Sequence, residues 1–501
     1  MTPPSRPPAA WKQHLLLGVL LFLVYIANGR SLFSGDTIPA SQLPTLLLHG
    51  HGVFLDRYYN YAPPFHEIFA HGEVMDGVRL ERYYVFDPRT VGAGTLGLLA
   101  SPAGPAPLTA AAALNPNQVE ELPYYVSFKH GHIVSRYPLA PPLLALPLEA
   151  PQVFALDLFA PGWDRDPAEA LAFELGIAKI TAACIGALTG VTLFALLRGL
   201  GLGWLSWPAV LAAALGSELW CVGSEAMWQH GPAALFLTLA MLLLLPEQPS
   251  RRRLCLAGLA TALLVCCRAL DVVYAAAIVL GVLWCWPRKA IWFLPFPLVL
   301  GGLLLAYNIW LFGTPSGGQD ELEAYNPLFR QVAGVWTGNV WDGATGSLFS
   351  PNRGLFVFSP WALLALLALP FTWGRLRKKP VLLLLIGAFA VNVAMLAKYS
   401  SWWGGCCFGP RFLTDATPVL AVPLGLALMW AWPRRRVFFG CFGAAIVLSI
   451  LIQAIGAFLY PSRYNIDPDY IDHQDQRHRL WDWTDGELGQ CLHVREWRPH
   501  W

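Results

Sequence analysis

The chain of 501 residues is 55% hydrophobic and 13% charged, with a mean hydropathy of +0.47 and a formal net charge of +2. Soluble domains carry about 25% charged residues, so the composition excludes a soluble globular chain and describes a polytopic membrane protein. The near-zero charge gives no electrostatic case for nucleic acid, and the absence of sheet-forming alternation excludes an outer-membrane barrel.

A spanning helix needs about 20 mostly apolar residues. Taken in chain order, apolar runs predict spans near 14–30, 168–198, 204–222, 231–246, 254–269, 271–286, 290–312, 355–374, 380–398, 412–432 and 436–458. The expected fold is an all-α membrane protein with about eleven transmembrane helices. The first run lacks a convincing cleavage pattern and reads as a retained helix. Basic clamps follow the even-numbered spans: Arg198, Arg251–Arg253, Arg288-Lys289, Arg375 to Lys379, and Arg434–Arg436. By the positive-inside rule that side is cytoplasmic. Residues 1–13 are then inside, 14–458 form the membrane domain, and 459–501 are an outer tail.

The outer face receives a long first loop (31–167), the turn Ser224–Pro232, Arg268–Asp271, the loop Gly313–Gly354, the segment Lys398–Arg411 and the tail from Tyr460. In the first loop, Ala40–Leu48 and Leu143–Phe154 read as interfacial helices flanking a Gly/Pro/Ala insert near 88–118 that is expected to be mobile. No internal repeat is visible, unlike many secondary transporters. The ten cysteines include no metal spacing. Most read as small buried hydrophobes, and one disulfide among Cys406, Cys407 and Cys491 is open on the outer side.

Asp36, in Ser34-Gly-Asp-Thr-Ile-Pro39, directly follows the first span. Its bland role is to cap the next helix; its chemical role is a general base tuned by partial burial. Asp56 is either a solvated turn residue paired with Arg57 or a second acid. The two acids can share a divalent cation (Mg or Mn) or divide base and orienting roles. Arg353 and Arg411 each stand where a helix begins. They either snorkel or clamp a phosphate, for which a planar guanidinium and free helix N–H groups are suited. Lys398 and Arg268 can join them, although Arg268 has a local ion-pair partner in Asp271. His230 is either a packed histidine or a contact to phosphate or acceptor hydroxyl. Glu218 is an intramembrane acid, of a kind that tends to face the bundle interior. Arg479–Asp485 reads as an aromatic, acidic cap over the outer loops that can contribute to substrate binding. Walker, nucleophile-elbow, zincin and Rossmann motifs are all missing.

A set of phrases runs in order from the first loop to the tail. They are Gly35-Asp-Thr-Ile-Pro39, Leu55-Asp56, Ser135-Arg136-Tyr137-Pro138, Trp228-Gln-His-Gly-Pro232, Tyr307-Asn308 with Phe312-Gly313, Phe349–Leu355, Gly409-Pro-Arg411 and Arg479–Trp483. With an acid just after the first helix, the chain resembles the GT-C superfamily of membrane glycosyltransferases, among bacterial relatives of the protein O-mannosyltransferases and the lipid A aminoarabinose transferase. The resemblance implies a GT-C-like fold and transfer of a sugar from a polyprenyl-phosphate donor to a glycan, lipid or protein acceptor outside the cytoplasm. It implies Asp36 as catalytic base and Arg353, Arg411 and Lys398 as donor-phosphate ligands. Arg136, Tyr137, His230 and Glu218 are further substrate-binding candidates. A phosphate leaving group needs little protonation, so one base predicts inversion. A bacterial source implies the cytoplasmic membrane, with the site on its outer face. The alternative is a transporter or flippase for a lipid-linked sugar.

Overall fold

The computed structural model describes residues 10–59, 123–325, 335–460, 474–484 and 486–493; the 88–118 insert lies outside them. Each of the eleven apolar runs contains helix, starting with Ala10–Ile26 and ending with Arg436–Leu459. Among the described residues six helices are long and apolar enough to cross a membrane. Five fall on expected runs: Glu169–Gly199, Pro295–Phe312, Pro380–Lys398, Arg411–Ala431 and Arg436–Leu459. The sixth is Ala140–Phe159, expected as a shorter interfacial helix; it runs 20 residues despite Pro147 and Pro151.

Several runs break where backbone chemistry requires it. The 355–374 run divides into Leu355–Phe358, Pro360–Leu367 and Leu369–Leu376. Pro360 and Pro370 sit in the first turns of the later pieces, because proline cannot donate an N–H and clashes in a helix interior. The helix Ser206–Leu215 ends at Gly216 and is followed by a π-turn, Leu219–Gly223. The freed Gly216 carbonyl accepts from Ser359 Oγ at 2.9 Å and Trp361 Nε1 at 2.7 Å. A broken helix inside a bundle survives only when such groups are satisfied again by neighbours.

Small residues bring the helices close. A Cβ on Gly190 would lie 2.3 Å from Leu21, so this glycine lets Ala10–Ile26 pack on Pro167–Gly199. Gly343 meets the Ala397 carbonyl as closely. Pro295–Phe312 stands at the rim, with 6% of its apolar window buried and Leu298, Leu303 and Trp310 exposed, as a lipid-facing helix would be.

Two expectations for the first loop are corrected. Ile38–Leu48, the first expected interfacial helix, has no free amphipathic face. It is buried over nearly its whole length beneath Ala140–Phe159 and Pro167–Gly199. The loop also holds a β-hairpin, Val126–Lys129 paired antiparallel with His132–Ser135. His130 and Gly131 take φ of 52° and 84° at its turn, the left-handed pair that a two-residue hairpin requires. Its strands are four residues long, too short for their alternation to stand out. The structure assigns no disulfide to the ten cysteines. The Cys407 thiol faces the carbonyls of Gly404, Gly405 and Gly409.

Candidate functional site

Groups from distant parts of the chain meet around Asp36. The residue sits in a 3₁₀ turn, Gly35–Thr37, which Ser34 and Thr37 close with a reciprocal capping box. Thr37, which leads into Ile38–Leu48, makes no side-chain cap. Capping is thus done without the Asp36 carboxylate, and its bland role falls away. The side chain, 14% exposed, accepts instead from Arg411 Nη1 at 2.6 Å on Oδ2. Tyr124 Oη donates to Oδ1 at 2.6 Å, and the Tyr137 phenol stands close enough to act on the carboxylate. Asp36 and Arg411 are 375 positions apart in sequence.

Each partner is held in place by its own surroundings. A Cβ on Gly35 would stand 2.4 Å from the Tyr124 hydroxyl, so only glycine leaves room for that phenol. Tyr124 and Tyr137 pack on a small core formed by Ile38, Leu43, Tyr125, Ile133, Leu171 and their neighbours. The Arg411 guanidinium lies 4.9 Å from the Trp228 ring and 5.3 Å from that of Phe412, within cation–π range. Trp228 Nε1 donates in turn to the Leu32 carbonyl, four residues before Asp36. Arg411 Nε is buried and donates to no group among the described residues.

Burial alone would push the Asp36 carboxyl up. The Arg411 charge, with hydrogen bonds from Tyr124, Tyr137 and Arg411, outweighs it and holds the group below the ordinary carboxylate value. Burial, then the Asp36 charge, push the Tyr137 phenol well up, so it stays a neutral donor.

The turn Arg411–Ala416 also carries Asp415, which faces a second buried network. Asp415 Oδ2 takes Arg268 Nη1 and lies 3.0 Å from His230 Nδ1. Arg268 Nη1 also reaches Asp271 Oδ1 at 3.2 Å. His230 and Arg268 are therefore held one turn behind the Asp36–Arg411 pair, as a hydrogen-bonded histidine and an ion-paired arginine.

The other candidates stand elsewhere. Asp56 ties the hairpin down: Ile133 N donates to Oδ1 and His132 Nδ1 meets Oδ2, both at 2.6 Å. Asp36 and Asp56 are thus each held by protein partners of their own. Among the described residues no three His, Cys, Asp or Glu side chains stand together as metal ligands. Arg136 donates to Ser127 Oγ and to the Tyr124 carbonyl, and so supports Tyr124 from behind. Lys398 is exposed at the end of Pro380–Lys398. Glu218 is buried, with Oε1 accepting from Gln453 Nε2 at 2.8 Å.

Arg353 is 1% exposed and is spent on the protein. Its Nη1 lies 2.9 Å from each Glu487 oxygen, Nε donates to the Trp403 carbonyl and Nη2 to that of Gly405. That placement corrects the expectation of a phosphate ligand, since its guanidinium faces the tail carboxylate. Arg353→Met should cost about 3–5 kcal/mol, because it strands a buried Glu487 charge. Thermal unfolding in detergent checks this, and an unchanged midpoint would contradict it. Tyr124, which no motif singled out, and Trp228, whose motif gave it no role of its own, complete the site. No family model matches the chain, and no curated protein is significantly similar to it.

Proposed function

We propose that this chain is a membrane glycosyltransferase of GT-C type, moving a sugar from a polyprenyl-phosphate donor to an acceptor on the extracytoplasmic side. What carries the reading is the Asp36–Arg411 pair. It joins a carboxylate kept ionised and a guanidinium whose buried Nε meets no partner among the described residues, in a chain with helices long and apolar enough to cross a membrane. An incoming phosphate oxygen would give this donor an acceptor.

In this mechanism the donor phosphate meets Arg411 while its isoprenoid chain lies among the apolar helices. Arg411 turns part of its charge from Asp36 to the phosphate, which raises the basicity of the carboxylate when substrate is present. The acceptor O–H or N–H gives its proton to Asp36. Its lone pair forms the bond to the anomeric carbon as the carbon–oxygen bond to phosphate breaks. The electron pair leaves on polyprenyl phosphate, where Arg411 stabilises the developing charge. The described partners of Asp36 are two phenols and a guanidinium, which suits a single displacement with inversion. Tyr124 and Tyr137 aim the carboxylate.

The test is sugar release by purified protein from a panel of polyprenyl-phosphate sugars, followed by the anomeric configuration of the product. Donor carried across a vesicle bilayer with no bond broken, for any donor and acceptor, would replace the enzyme by the transporter. Tyr124→Phe should slow turnover by about tenfold or more, the worth of a hydrogen bond to a charged group. Gly35→Ala should do the same by displacing the phenol. The double variant should be no slower than either single one, because both remove one interaction; additive losses in steady-state kinetics would show that Gly35 acts elsewhere.

A further inference from the structure

The segment that brings Arg411 to Asp36 has little structure of its own. Gly404, Gly405 and Gly409 take φ of 78°, 69° and 63°, and no helix begins until Arg411. Apart from short turns and the Cys407 thiol contacts, its shape is imposed from outside. Arg353 holds the carbonyls of Trp403 and Gly405. Glu487, from the C-terminal tail, accepts the Gly409 N–H on Oε2 at 2.9 Å, two residues before Arg411.

The tail is itself fastened on the same side. Glu487 is fully buried and bound by both oxygens to Arg353. Its N–H donates to Asn352 Oδ1, Asn352 Nδ2 donates to the Arg479 carbonyl, and Ser350 Oγ to that of Leu480. Glu218 also packs against Gly409, where any Cβ would strike its carboxylate. A carboxylate contributed by the tail, 78 positions from Gly409, thus sets the last fixed point before Arg411.

We infer that Glu487 is a positioning residue for Arg411, and that the C-terminal segment is a working part of the site instead of a cover over it. The inference rests on the Asp36–Arg411 reading above. Misplacing a reacting group by about 1 Å can cost about 10²-fold in rate, and releasing Gly409 frees Arg411 to move by that much. Displacing the guanidinium also removes the charge that holds Asp36 ionised, so the acid limb of the pH–rate profile must rise. A purely structural contact would lower the yield of folded protein without moving that limb.

The experiment compares wild type, Glu487→Gln, Glu487→Asp and Asp36→Asn in detergent, after size exclusion has selected folded protein. It measures amide exchange across residues 401–412 and donor turnover against pH. Glu487→Gln should exchange faster in that segment, lose up to about 10²-fold in kcat and show a raised acid limb. Glu487→Asp, which keeps the charge on a shorter arm, should recover part of each. Glu487→Asp alone decides the matter if the glutamine variant does not fold, since a displaced segment and limb are then expected in smaller measure. Unchanged exchange in the folded variants overturns the inference without touching the reading. So does faster exchange with unchanged kcat and pH limb, where Asp36→Asn is inactive. Full activity of Asp36→Asn overturns the reading, and the positioning role with it.

Discussion

Asp36→Asn should leave a folded protein that binds donor and turns it over about 10²–10⁴-fold more slowly, the usual contribution of a general base. The replacement is nearly isosteric. Its amide oxygen can still accept from Tyr124, so the 3₁₀ turn and its capping box lose no hydrogen bond. What disappears is the acceptor for a proton and the counter-charge of Arg411. Loss of that charge frees the guanidinium for the donor phosphate, so KM should hold or fall while kcat collapses. This split separates a lost base from a damaged binding site, which would raise KM. Azide, a nucleophile with no proton to give up, should recover turnover in Asp36→Asn and add little to wild type. Equal kcat in the two proteins would remove Asp36 from the chemistry.

Asp36 was legible because a carboxylate directly after an apolar run has few structural reasons to be there. Arg411 was legible as a basic residue at a helix start, but its pairing with Asp36 was not. A contact between residues 375 positions apart is set by how helix ends converge, and no local pattern carries it. Arg353 shows the opposite error. A guanidinium beside Ser-Pro-Asn looks the same from sequence whether it faces a phosphate or a carboxylate from the tail, and Glu487 lies just beyond the Arg479–Asp485 cap, where the outer tail carries no motif. Asp56 misled for a related reason: its partner is the hairpin, whose four-residue strands and His130-Gly131 turn were overlooked. Tyr124 had no signal at all beyond its place in an aromatic pair. The helices followed the apolar runs closely, because burial in lipid or bundle selects composition directly. Their lengths did not, because Gly216, Pro360 and Pro370 interrupt a helix without lowering its hydrophobicity.

Arg411→Gln and Arg411→Lys should both slow turnover, by about 10²–10³-fold for the loss of a preorganised group on the leaving charge, but with different pH profiles. In wild type the Asp36 pKa lies below the ordinary value of 3.8. A depressed carboxylate is ionised throughout the pH range above it, and its function is lost as pH falls through the lowered value. The ion pair's contribution to stability follows the same sign: present above the unfolded value of about 3.9 and lost as pH falls through the folded one. Wild-type kcat/KM should therefore be level from neutrality down to the acid edge of the protein's stability. In Arg411→Gln burial is opposed only by the hydrogen bonds, the Asp36 pKa rises, and an acid limb should enter the measurable range. Arg411→Lys keeps a positive charge near Asp36 and should keep the limb low. It still loses rate, because an ammonium cannot bridge carboxylate and phosphate with a planar fork. The pair of variants thus separates the charge that keeps the base ionised from the geometry that receives the leaving group. The same limb in Arg411→Gln as in wild type would mean that Arg411 does not govern the base, and would leave it only the phosphate.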